Sequence, residues 1–502
     1  MLFSSPLFLF AFLPALLLLH ALAPRRARNG LLLLASLLFF GWGEPVYLLL
    51  MLGSIAGNWW FGLRAERALA EPRALRRVVG AATVFNLGLL GAFKYADWLL
   101  ADLGRGLAAL GLSSGAWPSF ATLLGESEFA REWLLTDDRR LRLPLGISFF
   151  TFQAFAYVLD VARGDLRAEP RLGRVALYVS LFPQLVAGPI VRYRDVAAEI
   201  VRRTVTREGF AYGVRRFVIG LAKKVLIANV VAVPADLVFG LPSAELTGEL
   251  AWLGVVAYTL QIYFDFSGYS DMAIGLGHLF GFRVLENFRH PYVARSITEF
   301  WRRWHISLST WFRDYLYVPL GGNRRGEART HFNLVTVFAL CGLWHGASWT
   351  FVAWGLYHGL FLVVERAGIG ARLERLPRAL RHGYVLLVVI VGWVLFRADD
   401  FGRALEVAGA LFGAAPWSSA VRPLAQELDS LVVCALLAGA LGATPWLATL
   451  QAWHRRATEA AERPRLHAAL DCCGLVAVVA LFWLAAVQLA SSAYNPFIYF
   501  RF

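Results

Sequence analysis

The 502-residue chain is 58% hydrophobic and only 17% charged, a balance that excludes a soluble globular protein and, being the reverse of its signature, intrinsic disorder. Lys and Arg outnumber Asp and Glu by 49 to 35, a net charge of +14. In so apolar a chain this excess reads as cytoplasmic-loop arginine under the positive-inside rule, and no nucleic-acid partner is expected.

Apolar runs recur along the whole chain. Pro6–Ala23 has no basic residue ahead of it and is followed by Arg25, Arg26 and Arg28, so it predicts an uncleaved first span with its N-terminus outside. Gly30–Leu63 holds two runs broken by Gly43, Glu44 and Pro45 and ends on Arg64, Arg67, Arg73, Arg76 and Arg77. Basic clusters at both ends predict an out-and-back helical hairpin. Further runs cover 78–101, 143–160, 173–191, 210–240, 250–282, 332–365, 383–397, 428–450 and 471–490. Gly104–Arg142, with Asp137, Asp138, Arg139 and Arg140, reads as a loop with a short helix. At about 20 residues per span the count is roughly ten to twelve transmembrane helices, some short or kinked. The fold class expected is all-α, a polytopic membrane protein with interfacial or re-entrant segments, in one domain over 1–502. Arg25–Arg28, Arg64–Arg77 and the Arg202–Lys224 group are expected on the cytoplasmic side and Leu241–Glu249 outside. Cys341, Cys434, Cys472 and Cys473 lie in apolar stretches without metal-ligand spacing, so neither a disulfide framework nor a metal site is expected.

The informative block is 255–366, where polar residues appear inside apolar context. Gln261, Asp265, Ser267, Ser270 and Asp271 fall in a stretch otherwise able to span a bilayer. Gln261 with Asp265, and Ser267 with Asp271, are spaced i, i+4, so each pair shares a helix face. Burying them costs several kcal/mol unless they are paired or face a wet cavity. The pattern fits carboxylates that glue helices together or pair with arginines, or else an intramembrane polar lining. Ile297–Tyr315, with Trp301, Arg302, Arg303, Trp304, His305, Trp311 and Arg313, is too charged to cross. It predicts an interfacial helix, N-capped by Ser296 or Thr298 ahead of Glu299 and closed by the Gly321-Gly322 turn. Cys341–Trp349 interrupts the long run that follows, which is long enough for two helices or one re-entrant loop. His345 sits there between Gly342 and Gly346, glycines that permit close backbone approach. A histidine in such a place is either a hydrogen-bonded core residue or a site, and within a membrane ionisable groups mark sites by default.

These residues resemble the membrane-bound O-acyltransferase family, and within it the branch that acetylates alginate and related bacterial exopolysaccharides. The likeness is carried by Phe93–Asp97, Leu143–Gln153, Phe182–Ile190, Tyr263–Asp271, Ser296–Asn323, Leu343–Gly346 and the closing Tyr494–Phe502. It implies a multi-helix membrane fold around a central funnel, a catalytic histidine at His345 and a second histidine at His305. His278 stands where Arg or Lys is usual and Leu285 where Pro is usual, which loosens the assignment to alginate in particular. The implied activity is transfer of an acetyl group from cytoplasmic acetyl-CoA, a donor and not a resident cofactor, to hydroxyls of an extracytoplasmic polysaccharide. Transfer is direct or through an extracytoplasmic acetyltransferase partner, and the location is the bacterial inner membrane, multi-pass.

Acyl transfer to a sugar hydroxyl needs a base, a polarised acyl carbonyl and exclusion of water. A desolvated, neutral His345 suits the base. His305 then positions the donor or supports the site, and Arg302, Arg303 and Arg313 steer the donor phosphates. Asp265, Asp271 and Gln261 line the acceptor side or orient a histidine. The alternatives are D-alanyl transfer to teichoic acid, and a transporter or flippase, which should show related halves that this chain lacks.

Overall fold

The computed structural model describes residues 1–112, 130–136, 141–446, 449–450, 452–453, 464–491, 495 and 498. Among these residues every regular element is helical, and the one strand-like feature is an isolated bridge between Leu135 and Leu141. Among the described residues five helices are long and apolar enough to cross a membrane: Pro45–Arg67, Pro72–Ala109, Arg207–Gly240, Arg378–Arg397 and Ala469–Ser491. Phe8–Leu22, Arg28–Gly41, Ile147–Ala162 and Ser430–Gly442 are shorter apolar helices. The chain divides into two compact units.

The first unit holds Ala15–Thr204, Met1 and Trp344–Ser348. After α1 (Phe8–Leu22), whose first turns to Pro14 belong to the second unit, come α2 (Arg28–Gly41) and α3 (Pro45–Arg67), the two helices expected from the two apolar runs. Pro45 opens α3 at its first turn, where a missing N–H costs nothing, and so sets the break after α2. In α4 (Pro72–Ala109) the regular ladder gives way to a π-helical turn at Gly91–Tyr95. Asn58 of α3 and Asn86 of α4 exchange reciprocal amide hydrogen bonds of 3.0 and 2.8 Å, which satisfies two buried amides at once. Next are α5 (Ile147–Ala162), buried along nearly its whole length, and α6 (Leu172–Ser180). The run 173–191 does not make one span. The backbone leaves the helix at Leu181, where Pro183 follows, and the amide of Phe182 finds Ser36 Oγ at 3.1 Å instead of a helical carbonyl. The unit ends with α7 (Tyr193–Val201). Where a loop with a short helix was expected over Gly104–Arg142, α4 runs on to Ala109 and a helical turn occupies Ala130–Leu134. Residues 113–129 and 137–140 of that stretch lie outside the described residues.

The second unit holds Leu2–Pro14, Val205–Leu343 and Trp349–Phe502. Its core is the pair α8 (Arg207–Gly240) and α9 (Gly248–Leu279), the latter buried at almost every position. Gly213 and Gly220 of α8 face Gly275 and Gly268 of α9 so closely that a Cβ at any of the four would meet the opposite backbone. Small residues at such a seam let dispersion do the work that the hydrophobic effect cannot do in lipid. Then follow α10 (Ile297–Arg303), α11 (Ile306–Phe312), α12 (Glu327–His345), whose last two residues belong to the first unit, and α13 (Trp349–Val364). The apolar run 332–365 is thus two helices, not a re-entrant loop. After them come α14 (Arg378–Arg397), α15 (Phe401–Leu411), α16 (Ser430–Gly442) and α17 (Pro464–Ser491). Asp400 and Asp429 cap α15 and α16, each accepting a backbone N–H three residues on.

Candidate active-site residues

His345 is the last residue of α12 and is buried. The final carbonyls of a helix have no partner within it, and here the last two are taken by a lysine from α4. Lys94 Nζ donates to the carbonyls of Trp344 at 2.6 Å and His345 at 3.1 Å, and to Ser148 Oγ of α5 at 3.2 Å. Phe149 and Phe152, also of α5, pack their rings against Trp344 at 5.4 and 5.6 Å, and the indole lies beside the His345 ring at 5.0 Å. The close backbone approach expected at Gly342 is made by a neighbouring helix. A Cβ at Gly342 would collide with the carbonyl oxygen of Phe351, and one at Gly355 with that of Phe338. Gly342 and Gly355 therefore let α12 and α13 cross at backbone contact.

His305 breaks the expected interfacial helix. Ser296 caps α10 as anticipated, accepting from Glu299 N at 3.0 Å, and Glu365 accepts from Thr298 N at 2.9 Å and Thr298 Oγ1 at 2.7 Å. The helix then stops at Arg303, and His305 takes a left-handed conformation (φ +43°) before α11 begins. A residue other than glycine there costs of order 1–2 kcal/mol. Asn287 holds the turn. Its carbonyl accepts from Ile306 N at 2.9 Å, and its side-chain oxygen accepts from Ser307 N at 3.1 Å and Ser307 Oγ at 2.9 Å. The same oxygen faces His305 Nδ1 at 3.2 Å, while Asn287 Nδ2 donates to Ser270 Oγ at 3.2 Å. An amide oxygen can only accept, so this arrangement assigns the proton to Nδ1 and leaves Nε2 the basic nitrogen. Burial among Phe266 and Phe288 pushes the imidazole down to about 3, which keeps it neutral.

Asp265 and Asp271 of α9 are paired with cations of α8. Asp271 meets Arg216 at 2.6 Å and Lys223 at 2.7 Å, and Arg216 also reaches Glu286 at 2.7 Å. Asp265 meets Lys224 at 2.9 Å and accepts the backbone N–H of Ile498 at 2.8 Å. Lys224 donates to Asn229, whose amide binds Asn495, and Asn495 in turn binds Ser4. Asp265 and Lys224 thus tie Ile498 and Asn495 to the helical core. Three cations expected to mark a cytoplasmic loop, Arg216, Lys223 and Lys224, sit inside a continuous helix for this pairing. Gln261 is buried and its side-chain oxygen has no partner among the described residues. Of the arginines, Arg303 forks onto Glu299 at 2.7 and 2.9 Å and donates to the carbonyl of Arg289. Arg313 is exposed and binds its neighbour Asp314 at 2.7 Å, and Arg302 is exposed. The structure brings Asp265 and Asp271 to one helix pair, while Arg303 and Arg313 pair with Glu299 and Asp314.

Three residues escaped the sequence reading. Asn287 carries no signal without its partners. Lys94 is a lone lysine in an apolar run, a signal that was present. His358 of α13 is fully buried between Trp301 and Trp354, rings at 5.0 and 5.3 Å, and neither ring nitrogen has a hydrogen-bond partner among the described residues.

Residues 140–396 match the family model described as MBOAT, membrane-bound O-acyltransferase family. A protein of Azotobacter vinelandii named as a probable alginate O-acetylase is 41% identical over 525 residues, covering all of both chains. One of the same name from Pseudomonas aeruginosa is 45% identical over 418 residues, 83% of this chain and 76% of that one. A peptidoglycan O-acetyltransferase of Helicobacter pylori is 36% identical over 452 residues, 82% of this chain and 80% of its own.

Proposed function

This chain belongs to the membrane-bound O-acyltransferase family and is a membrane-embedded O-acyltransferase, and on that premise we propose that it acetylates hydroxyls of an extracytoplasmic polysaccharide, alginate or a related polymer, from cytoplasmic acetyl-CoA. Its place is the bacterial inner membrane. Relatives named for alginate that match over the full chain support the acceptor class, and the peptidoglycan relative keeps a second glycan in view.

The observation that carries the chemistry is His345, buried at the end of α12 and held there through its own carbonyl. In the reaction the acceptor oxygen attacks the acetyl carbonyl, the C–S bond to coenzyme A breaks, and the hydroxyl proton passes through the imidazole to the departing thiolate. A positioned base contributes roughly 10² to 10⁴ in rate. A dry, apolar setting suppresses hydrolysis of the thioester. His305, neutral with its proton on Nδ1, orients the donor, and exposed Arg302 attracts its phosphates. Delivery to the polymer is direct or by way of an extracytoplasmic acetyltransferase.

The test uses protein purified in lipid nanodiscs with labelled acetyl-CoA and alginate oligosaccharides, beside complementation of polymer acetylation in cells. His345→Gln is expected to insert, purify as one species and melt near the parent, yet lose transfer by at least about a hundredfold. Transfer at the parental rate in that variant refutes the role of His345. Transfer of D-alanine in place of acetate refutes the donor assignment.

A further inference from the structure

We propose that Lys94 is a positioning residue for acyl transfer, fixing the backbone from which His345 projects; the proposal rests on the catalytic reading of His345. The argument begins with cost. An ammonium in an apolar helix of a membrane protein is expensive, and such groups are kept where something pairs with them. Lys94 has three donors, and three partners accept from them: the carbonyls of Trp344 and His345 and the hydroxyl of Ser148. Its ammonium also stands 5.8 Å from the Trp344 ring.

The geometry of both partners points the same way. Lys94 lies in the π-helical turn Gly91–Tyr95, an insertion into the α ladder of a kind often found at functional sites. On the other side, Trp344 and His345 end α12, where two carbonyls lack helical partners and the negative end of the helix dipole gathers. One side chain answers both needs. It does so on the main chain of the histidine itself, so the carbonyl, and with it the direction of the Cα–Cβ bond, is held from outside α12. Ser148 adds a third point from α5, whose Phe149 and Phe152 clamp the neighbouring indole. An error of about 1 Å in such a group is enough to cost on the order of a hundredfold in rate.

The experiment compares Lys94→Met, Lys94→Arg, Ser148→Ala and His345→Gln with the parent, reading kcat and the KM for acetyl-CoA on the monodisperse, folded fraction. Lys94→Met is expected to lower kcat by about 10- to 100-fold with KM within about twofold, because the defect lies in alignment and not in donor binding. Lys94→Arg, which keeps the cation, is expected to recover at least half of that loss on a logarithmic scale. A lysine that serves folding alone would instead reduce the yield of folded protein and leave its kcat parental. If Lys94→Met does not fold, Ser148→Ala decides: a kcat several-fold low at unchanged KM supports the proposal, and a parental kcat overturns it. Parental kcat in Lys94→Met with an inactive His345→Gln overturns the positioning role alone. An active His345→Gln overturns the catalytic reading and the positioning role together.

Discussion

Replacing Asn287 by alanine removes a side chain that touches four polar groups at a break between two helices. Its oxygen serves Ser307 N, Ser307 Oγ and His305 Nδ1, and its nitrogen serves Ser270 Oγ. A typical intramolecular hydrogen bond contributes about 1 kcal/mol net, so four give about 4 kcal/mol. Buried donors left without an acceptor add to the loss, and relaxation of the turn reduces it. The left-handed conformation of His305 loses its side-chain support at the same time. The expected destabilisation is therefore about 3–5 kcal/mol, at the upper end for a single substitution. Asn287→Asp keeps the acceptor but cannot donate to Ser270, and it brings a buried charge in exchange. It should therefore not restore the parental stability. In detergent-purified protein the tryptophan-fluorescence melt reads the stability, and acetyl transfer at saturating donor reads the site. Transfer should fall by roughly tenfold or more in the folded fraction, since His305 is no longer held to one tautomer and one direction. An Asn287→Ala protein that melts with the parent and transfers at the parental rate would show that this asparagine does not organise the turn.

Two further substitutions probe the helical core. Asp265→Asn breaks a buried pair with Lys224 and should cost about 3–5 kcal/mol, whereas Asp265→Asn with Lys224→Met should recover most of it. A double-mutant cycle on thermal unfolding reads the coupling, and strictly additive losses would contradict the pairing. Gly342→Ala should destabilise by about 1–3 kcal/mol, because its Cβ meets the Phe351 backbone. Gly30→Ala in α2, which meets open space, should be neutral or stabilising by up to about 1 kcal/mol. Equal melting shifts for the two glycines would refute the close crossing of α12 and α13.

The cation pairs on α8 and α9 bear on how such a chain is kept in the membrane. Arg216 and Lys223 share Asp271, and Lys224 takes Asp265. Charges that would each oppose insertion are neutralised across a seam of glycines, which brings the two backbones near enough for short ion pairs.

Much about this protein is determined by its sequence alone, because membrane physics leaves few solutions. Apolar runs of span length must become helices, so the hairpin at Arg28–Arg67 follows from two runs and a proline. A cap at Ser296 or Thr298 follows from local backbone chemistry, with the structure choosing Ser296, and the block 255–366, which contains His305 and His345, stands out because polar groups there are costly. What the sequence does not determine is which polar group answers which. Spacing puts Gln261 and Asp265 on one face, but only the packing of α8 on α9 decides that Asp265 meets Lys224 and that Asp271 meets Arg216 and Lys223. The same holds at the histidines. Asn287 lies 18 residues before His305 and Lys94 lies 251 residues before His345, and no periodicity links residues so far apart. Helices are encoded within a turn or two of chain, whereas a hydrogen bond between helices exists only once both are packed, and for that reason the candidate histidines were legible in the sequence while the groups that hold them were not.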